Sequence, residues 1–122
     1  MKNLELFPIV SADNDLRKLL YRDGKVQFYE FGLAQGKPVL PYVIWQQVGG
    51  DSYLNFDSIS QSDRLLVDVM IYAKTGSEAK SLVNSLRKVL DKVGYVDDIG
   101  ILELQDSGTY KYTMTYAFHV TL

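Results

Sequence analysis

A chain of 122 residues, 47% hydrophobic and 23% charged, suits one folded domain with a continuous core and leaves too little for two independent ones. With 13 basic and 15 acidic residues the formal net charge is -2, which excludes a broad positive field for nucleic acid. The absence of cysteine excludes disulfides, thiolate catalysis and cysteine-based zinc sites, and leaves the redox compartment open.

The start, MKNLELFPIVSADN, places Glu5 and Asp13 around Pro8 and lacks the apolar run of a secretory signal. No stretch approaches the roughly 20 apolar residues of a membrane-crossing helix, so a soluble product made and used in the cytoplasm is expected. Leu4, Phe7, Val10 and Leu16, Leu19, Leu20 line one side of two short helical pieces. Pro8 fits an early turn, Ser11 or Asp13 can cap the second piece, and the predicted helix runs from about Asp13 to Tyr21. Asp23-Gly24 marks a turn.

From Val26 the period shortens: Val26, Phe28 and Glu30 oppose Gln27, Tyr29 and Phe31 in a short predicted strand. GLAQGK with Pro38 and Pro41 is expected to be irregular and exposed. Tyr42 to Val48 is a second strand that Gly49-Gly50 ends. Asp51 to Asp63, rich in aspartate and serine, is expected as a surface loop. Leu65 to Lys74 alternates with Val67, Val69, Ile71 and Ala73 on one face and Leu66, Asp68, Met70 and Tyr72 on the other. Asp68 on a half-buried face needs a partner, within the fold or across a subunit contact.

The strongest pattern follows. Thr75 or Ser77 can cap a helix whose apolar residues Ala79, Leu82, Val83, Leu86, Val89, Leu90 and Val93 recur at three-to-four spacing, with Gly94 as its stop. Lys80, Arg87, Lys88 and Lys92 fit its solvated side. After a turn at Tyr95 to Asp98, the stretches Ile99 to Leu104 and Thr109 to Leu122 are two strands joined through Asp106-Ser107-Gly108. In the last, Tyr110, Tyr112, Met114, Tyr116 and Phe118 alternate with Lys111, Thr113, Thr115, Ala117 and His119, giving one apolar and one wettable face. The predicted class is α+β, with a mixed or antiparallel sheet of four to five strands and two helices packed on one face.

No catalytic constellation declares itself, and no enzyme is expected. Asp13 and Asp15 fit a cap and first turn, and Asp97 and Asp98 fit turn duty. His119 is the single histidine and sits on the wettable face; no G-x-S-x-G elbow supplies a nucleophile for it. Gly32, Gly36, Gly49 and Gly50 form no phosphate-binding loop, and Asp51 to Asp63 lacks calcium-loop spacing, so no cofactor and no metal are expected. Trp45, Tyr42 and the tyrosines at 110, 112 and 116 suit either a base-stacking platform or a helix-sheet core. Their alternation, without a basic groove, favours the core.

At PVLPYVIWQQVGG and RLLVDVMIYAKTGSEAKSLVNSLRKVL the chain resembles the small tail-completion proteins of long-tailed phages, which include tail-to-head joining and tail-terminator proteins. The carriers are Leu40-Pro41-Tyr42 leading into a Gln-ended strand, and a β-rich run through Tyr72-Ala73-Lys74 into a helix beginning near Glu78. The initial helical segment and the final aromatic strand extend the likeness over nearly the whole chain. The resemblance implies a non-enzymatic virion component, a hexameric ring of identical copies that stops tail-tube growth and meets the head connector, with DNA only as passing cargo. Its partners would be the tail-tube protein and the head connector protein, at the head-tail junction; a neck adaptor of the same virion is the alternative. A closed heterologous ring needs two different surfaces per subunit, and loops and edge strands can supply them. Candidate contacts lie on the loop Gly36 to Pro41 with Gln35, Lys37 and Pro41, the loop Asp51 to Asp63 with Tyr53 and Asp57, and the turn with Tyr95 and Asp98. Arg64 and Asp68 are either subunit-contact charges or purely structural ones.

Overall fold

The computed structural model describes residues 6–32, 38–54 and 61–121. Helix α1 spans Phe7–Ala12 with Pro8 in its first turn, where a missing N–H costs no helical bond. Asp13 then accepts from the Leu16 N–H at 3.0 Å and caps α2, Asn14–Leu20, so the anticipated cap and helix are both present. Asp23 and Gly24 adopt φ of 54° and 82°, the left-handed conformations that close the two-residue hairpin of β1 (Tyr21–Arg22) and β2 (Lys25–Val26).

The main sheet comprises β3 (Phe28–Glu30), β4 (Tyr42–Leu54), β5 (Gln61–Ala73), β6 (Gly94–Asp98), β7 (Leu102–Leu104) and β8 (Tyr110–Thr121). Its order is β3-β4-β5-β8-β6, with β7 continuing the β6 edge along β8. Only β3–β4 is parallel. In the chain, α3 (Gly76–Leu90) links β5 to β6. Thr75 Oγ1 accepts from Glu78 N at 3.1 Å, while Glu78 Oε1 accepts from Lys74 N at 3.1 Å, a reciprocal cap that satisfies donors at the helix start.

The expected class is the one adopted, and a single core joins all three helices to one sheet face. Leu82, Leu86 and Leu90 from α3 are fully buried, as are Leu16 and Leu20 from α2. They meet Val43 and Trp45, Val67, Val69 and Ile71, and Met114, Tyr116 and Phe118 from three neighbouring strands. Trp45 and Tyr116 therefore fill the core with Tyr112 packed against it, as expected, whereas Tyr42 stacks on Tyr72 at the opposite face of the sheet.

Four local expectations change. Gly49-Gly50 does not end its strand: Val48 bulges out between the Gln47↔Val67 and Gly49↔Leu66 pairs, and the ladder resumes to Leu54↔Gln61. Much of the expected Asp51 to Asp63 loop is thus strand, and only residues 55–60 of it lie outside the described residues. Tyr95 to Asp98 belongs to strand β6 rather than to a turn. Gly94 opens that strand and is not the helix stop; α3 ends at Leu90, with Asp91 as its cap and Val93 outside it. A Cβ on Gly94 would lie 2.6 Å from the Ala117 carbonyl oxygen, so glycine permits the close approach to β8.

β4 and β5 have 13 residues each and α3 has 15. At about 3.3 Å per strand residue and 1.5 Å per helical residue the strands span roughly 40 Å against roughly 22 Å for the helix. The sheet consequently outruns its helical cover, and the Leu65↔Phe118 pair is the last core contact on that ribbon among the described side chains.

Candidate functional site

The sheet face opposite the helices carries Tyr42 and Ile44 from β4, Asp68, Met70 and Tyr72 from β5, and Lys111, Thr113 and Thr115 from β8, all half-buried. Tyr42 and Tyr72 pair in register and stack at 4.7 Å with an interplanar angle of 18°, and the Lys111 ammonium sits 5.6 Å from the Tyr72 ring centre. Burial, then the neighbouring Tyr72, raises the Tyr42 pKa above the ordinary tyrosine value. Asp68 accepts from the Thr115 hydroxyl at 2.7 Å, directly across the β5–β8 ladder. The partner required by its half-buried carboxylate is thus inside the fold.

Toward the ribbon end a second cluster forms. Arg64 donates from Nε to the Tyr95 hydroxyl and from an Nη to Asp97 Oδ1, both at 2.9 Å. These bonds cross β8 and fasten β5 to the edge strand. The bulge between Val96 and Asp98 turns Asp97 to this face while Val96 packs against the core. His119 is exposed, with its ring 6.3 Å from that of Tyr95. The cluster is one of charge pairing and ring contact, and it holds two strands together. Among the described residues there is no group of three or more histidine or acidic side chains placed to hold a metal ion.

The two edges of the sheet differ. Along β6–β7, Ile99, Ile101 and Leu104 are 64%, 75% and 64% exposed, and the acids Asp98, Glu103 and Asp106 stand exposed among them. At the other edge, buried Gln27 joins three segments: its amide donates to Arg22 O at 2.7 Å, and its carbonyl accepts from the Tyr29 hydroxyl at 2.7 Å and from Val39 N at 3.4 Å. Beside that edge, α2 and β1 form an open hollow of about 690 Å³ lined by Asn14, Arg17, Lys18 and Tyr21.

Of the candidate contacts, Gln35, Lys37 and Asp57 lie outside the described residues. Pro41 is buried behind a cis Leu40–Pro41 peptide, and Tyr53 lies within β4, paired with Ser62, rather than in a loop. Arg64, Tyr95 and Asp97 come together, whereas Asp68 is separate and Asp98 is exposed at the β6 edge. The exposed Ile99, Ile101 and Leu104 were not among the candidates. Their signal in the sequence is apolar residues interleaved with acids, the pattern of a charged edge strand. Gln27 was missed because strand alternation offers no warning that a polar side chain will be the buried one.

The family model described as tail completion protein gp17 matches residues 5–121. No curated protein matches the sequence. Among solved structures, the fold is similar to that of a chain in the virion of a native gene transfer agent (GTA) particle, with 13% sequence identity and a TM-score of 0.63, over 96% of this chain and 92% of that one. With the family match running from the first helix to the last strand, the chain belongs to the tail completion protein gp17 family.

Proposed function

We propose that this tail-assembly component closes the tail tube at its head-proximal end and joins it to the head connector, as a hexameric ring of identical copies. Family membership supplies the structural role in the tail of a virion. The finer reading is carried by the two unlike sheet edges, one apolar and acidic along β6–β7, the other built on the Gln27 network and flanked by basic α2. A ring that closes by rotation joins two different patches on each subunit, which these edges provide, whereas a two-fold dimer would use one patch twice. The role is non-catalytic, and DNA passes only as cargo, in keeping with a net charge of -2.

The test is electron microscopy of particles made without this gene. Filled heads beside unattached, irregularly long tails are the expected result. Normally joined virions would overturn the reading, and binding of the chain to tailless heads would favour the neck adaptor instead.

A further inference from the structure

We propose that the β6–β7 edge of one copy docks onto the α2–β1 corner of the next, so that identical chains join head to tail through matched charge and apolar surface. This rests on the ring reading above and names its contact.

Three large apolar side chains, Ile99, Ile101 and Leu104, are each at 64% or more exposure within six residues of one edge, and such an apolar ridge suits an interaction surface. Backbone pairing with another strand is disfavoured along it. The edge is bulged between Val96 and Asp98 and interrupted between β6 and β7, two devices that blunt strand addition. Docking must therefore use side chains: apolar ones at the centre and the acids Asp98 and Glu103 at the rim.

The complementary surface lies across the molecule. In the order β3-β4-β5-β8-β6 the ridge is at one end, while α2 and the β1–β2 hairpin lead directly into β3 at the other. The hollow there has the exposed ring of Tyr21 in its wall and Arg17 and Lys18 around it, with the Arg17 guanidinium 5.9 Å from the Tyr21 ring centre. Arg22 and Lys25 in the adjoining hairpin add to the positive side, so that four cations outnumber the two exposed acids of this corner, Asp15 and Asp23. A hollow in which the Tyr21 ring is flanked by an excess of basic side chains fits an aliphatic ridge with an acidic rim, and both belong to the same chain. Because the two surfaces lie at opposite ends of one sheet, neither can satisfy the other within a molecule; a second copy is required. Opposite local charge on a chain of net charge -2 gives an attraction confined to the contact and weakened by salt.

The chain contains no cysteine, which makes the contact directly readable by cross-linking. Tyr21→Cys and Ile101→Cys chains, purified separately and checked for native circular dichroism, are mixed at high concentration with copper-phenanthroline as oxidant. The expected product is a disulfide-linked mixed dimer, with neither chain alone cross-linking to itself. Adding Asp98→Lys and Glu103→Lys to the Ile101→Cys chain should lower the yield by about tenfold, and adding Arg17→Glu and Lys18→Glu to the Tyr21→Cys chain should restore it, as reversed charges re-pair. A self-linked Ile101→Cys dimer, no mixed dimer, or a yield indifferent to the charge swaps would overturn the proposal. Such a failure leaves the gene-deletion phenotype untouched, and normal virions from the deletion would sink tail completion without altering the cross-link.

Discussion

The Tyr116 hydroxyl donates to Asp91 Oδ1 at 2.6 Å, tying the buried middle of β8 to the residue that caps the C-terminal end of α3. Arg87 Nε approaches the other Asp91 carboxylate oxygen at 4.0 Å, so the carboxylate is shared between strand and helix. Removing the hydroxyl with Tyr116→Phe should cost about 1 kcal/mol, since the ring still fills the core and Asp91 can turn to water. Urea unfolding of the two proteins measures the difference.

The same contact sets an alkaline limit. Burial first, and then Asp91, push the Tyr116 pKa well above its ordinary value of 10.0. In the unfolded chain this tyrosine ionises near the ordinary value, while the folded chain keeps the proton to higher pH. Between the two values the native state binds more protons, so its stability is intact below the unfolded pKa and falls as pH rises beyond it. Stability measured at about pH 8 and about pH 11 should drop less in Tyr116→Phe than in the native chain. Tyr42, shifted in the same direction by burial and Tyr72, should leave part of the drop in place.

Thr75→Ala should destabilise the protein by about 1 kcal/mol, because the Glu78 N–H loses its acceptor at the start of α3. Thr75→Ser should recover most of it. Thermal unfolding followed by circular dichroism distinguishes the three.

Gly100→Ala tests the edge. A Cβ there would overlap the Thr113 carbonyl, so the β6–β7 segment must move off β8. A loss of about 1–3 kcal/mol is expected, with faster amide exchange along that edge and slower change in α3. Unchanged edge protection would mean the segment does not lie against Thr113.

Arg64 and Asp97 are 20% and 37% exposed at their side chains, so their ion pair should contribute modestly. A double-mutant cycle with Arg64→Ala and Asp97→Ala should give a coupling of about 0.5 kcal/mol that shrinks with added salt.

The elements with long, unbroken periodicity were legible from sequence: α3 with its Thr75 cap, the alternation of β8 and the Val67, Val69, Ile71 face of β5. Each repeats one local rule over enough residues for tertiary packing to agree with it. Asp13 was readable as a cap because a carboxylate at a helix start has a specific backbone donor to satisfy. Gly49-Gly50 misled because glycine removes a local preference without imposing a stop; the ladder to β5 carries the strand through a bulge that composition does not encode. Asp97 and Asp98 suggested a turn for the same reason that they suit an edge, since both settings are wet. The Arg64 cluster is half-visible in the sequence. Arg64 and Tyr95 were singled out, but their meeting depends on β8 lying between β5 and β6, a long-range topology that no spacing in the chain announces.

The measurement that bears most directly on the account is gold labelling of an affinity-tagged chain on intact particles, viewed by electron microscopy. Gold is expected at the neck, where the tail tube meets the head, and none along the tube. Label at the distal tip of the tail, or particles that carry none of the chain, would contradict it.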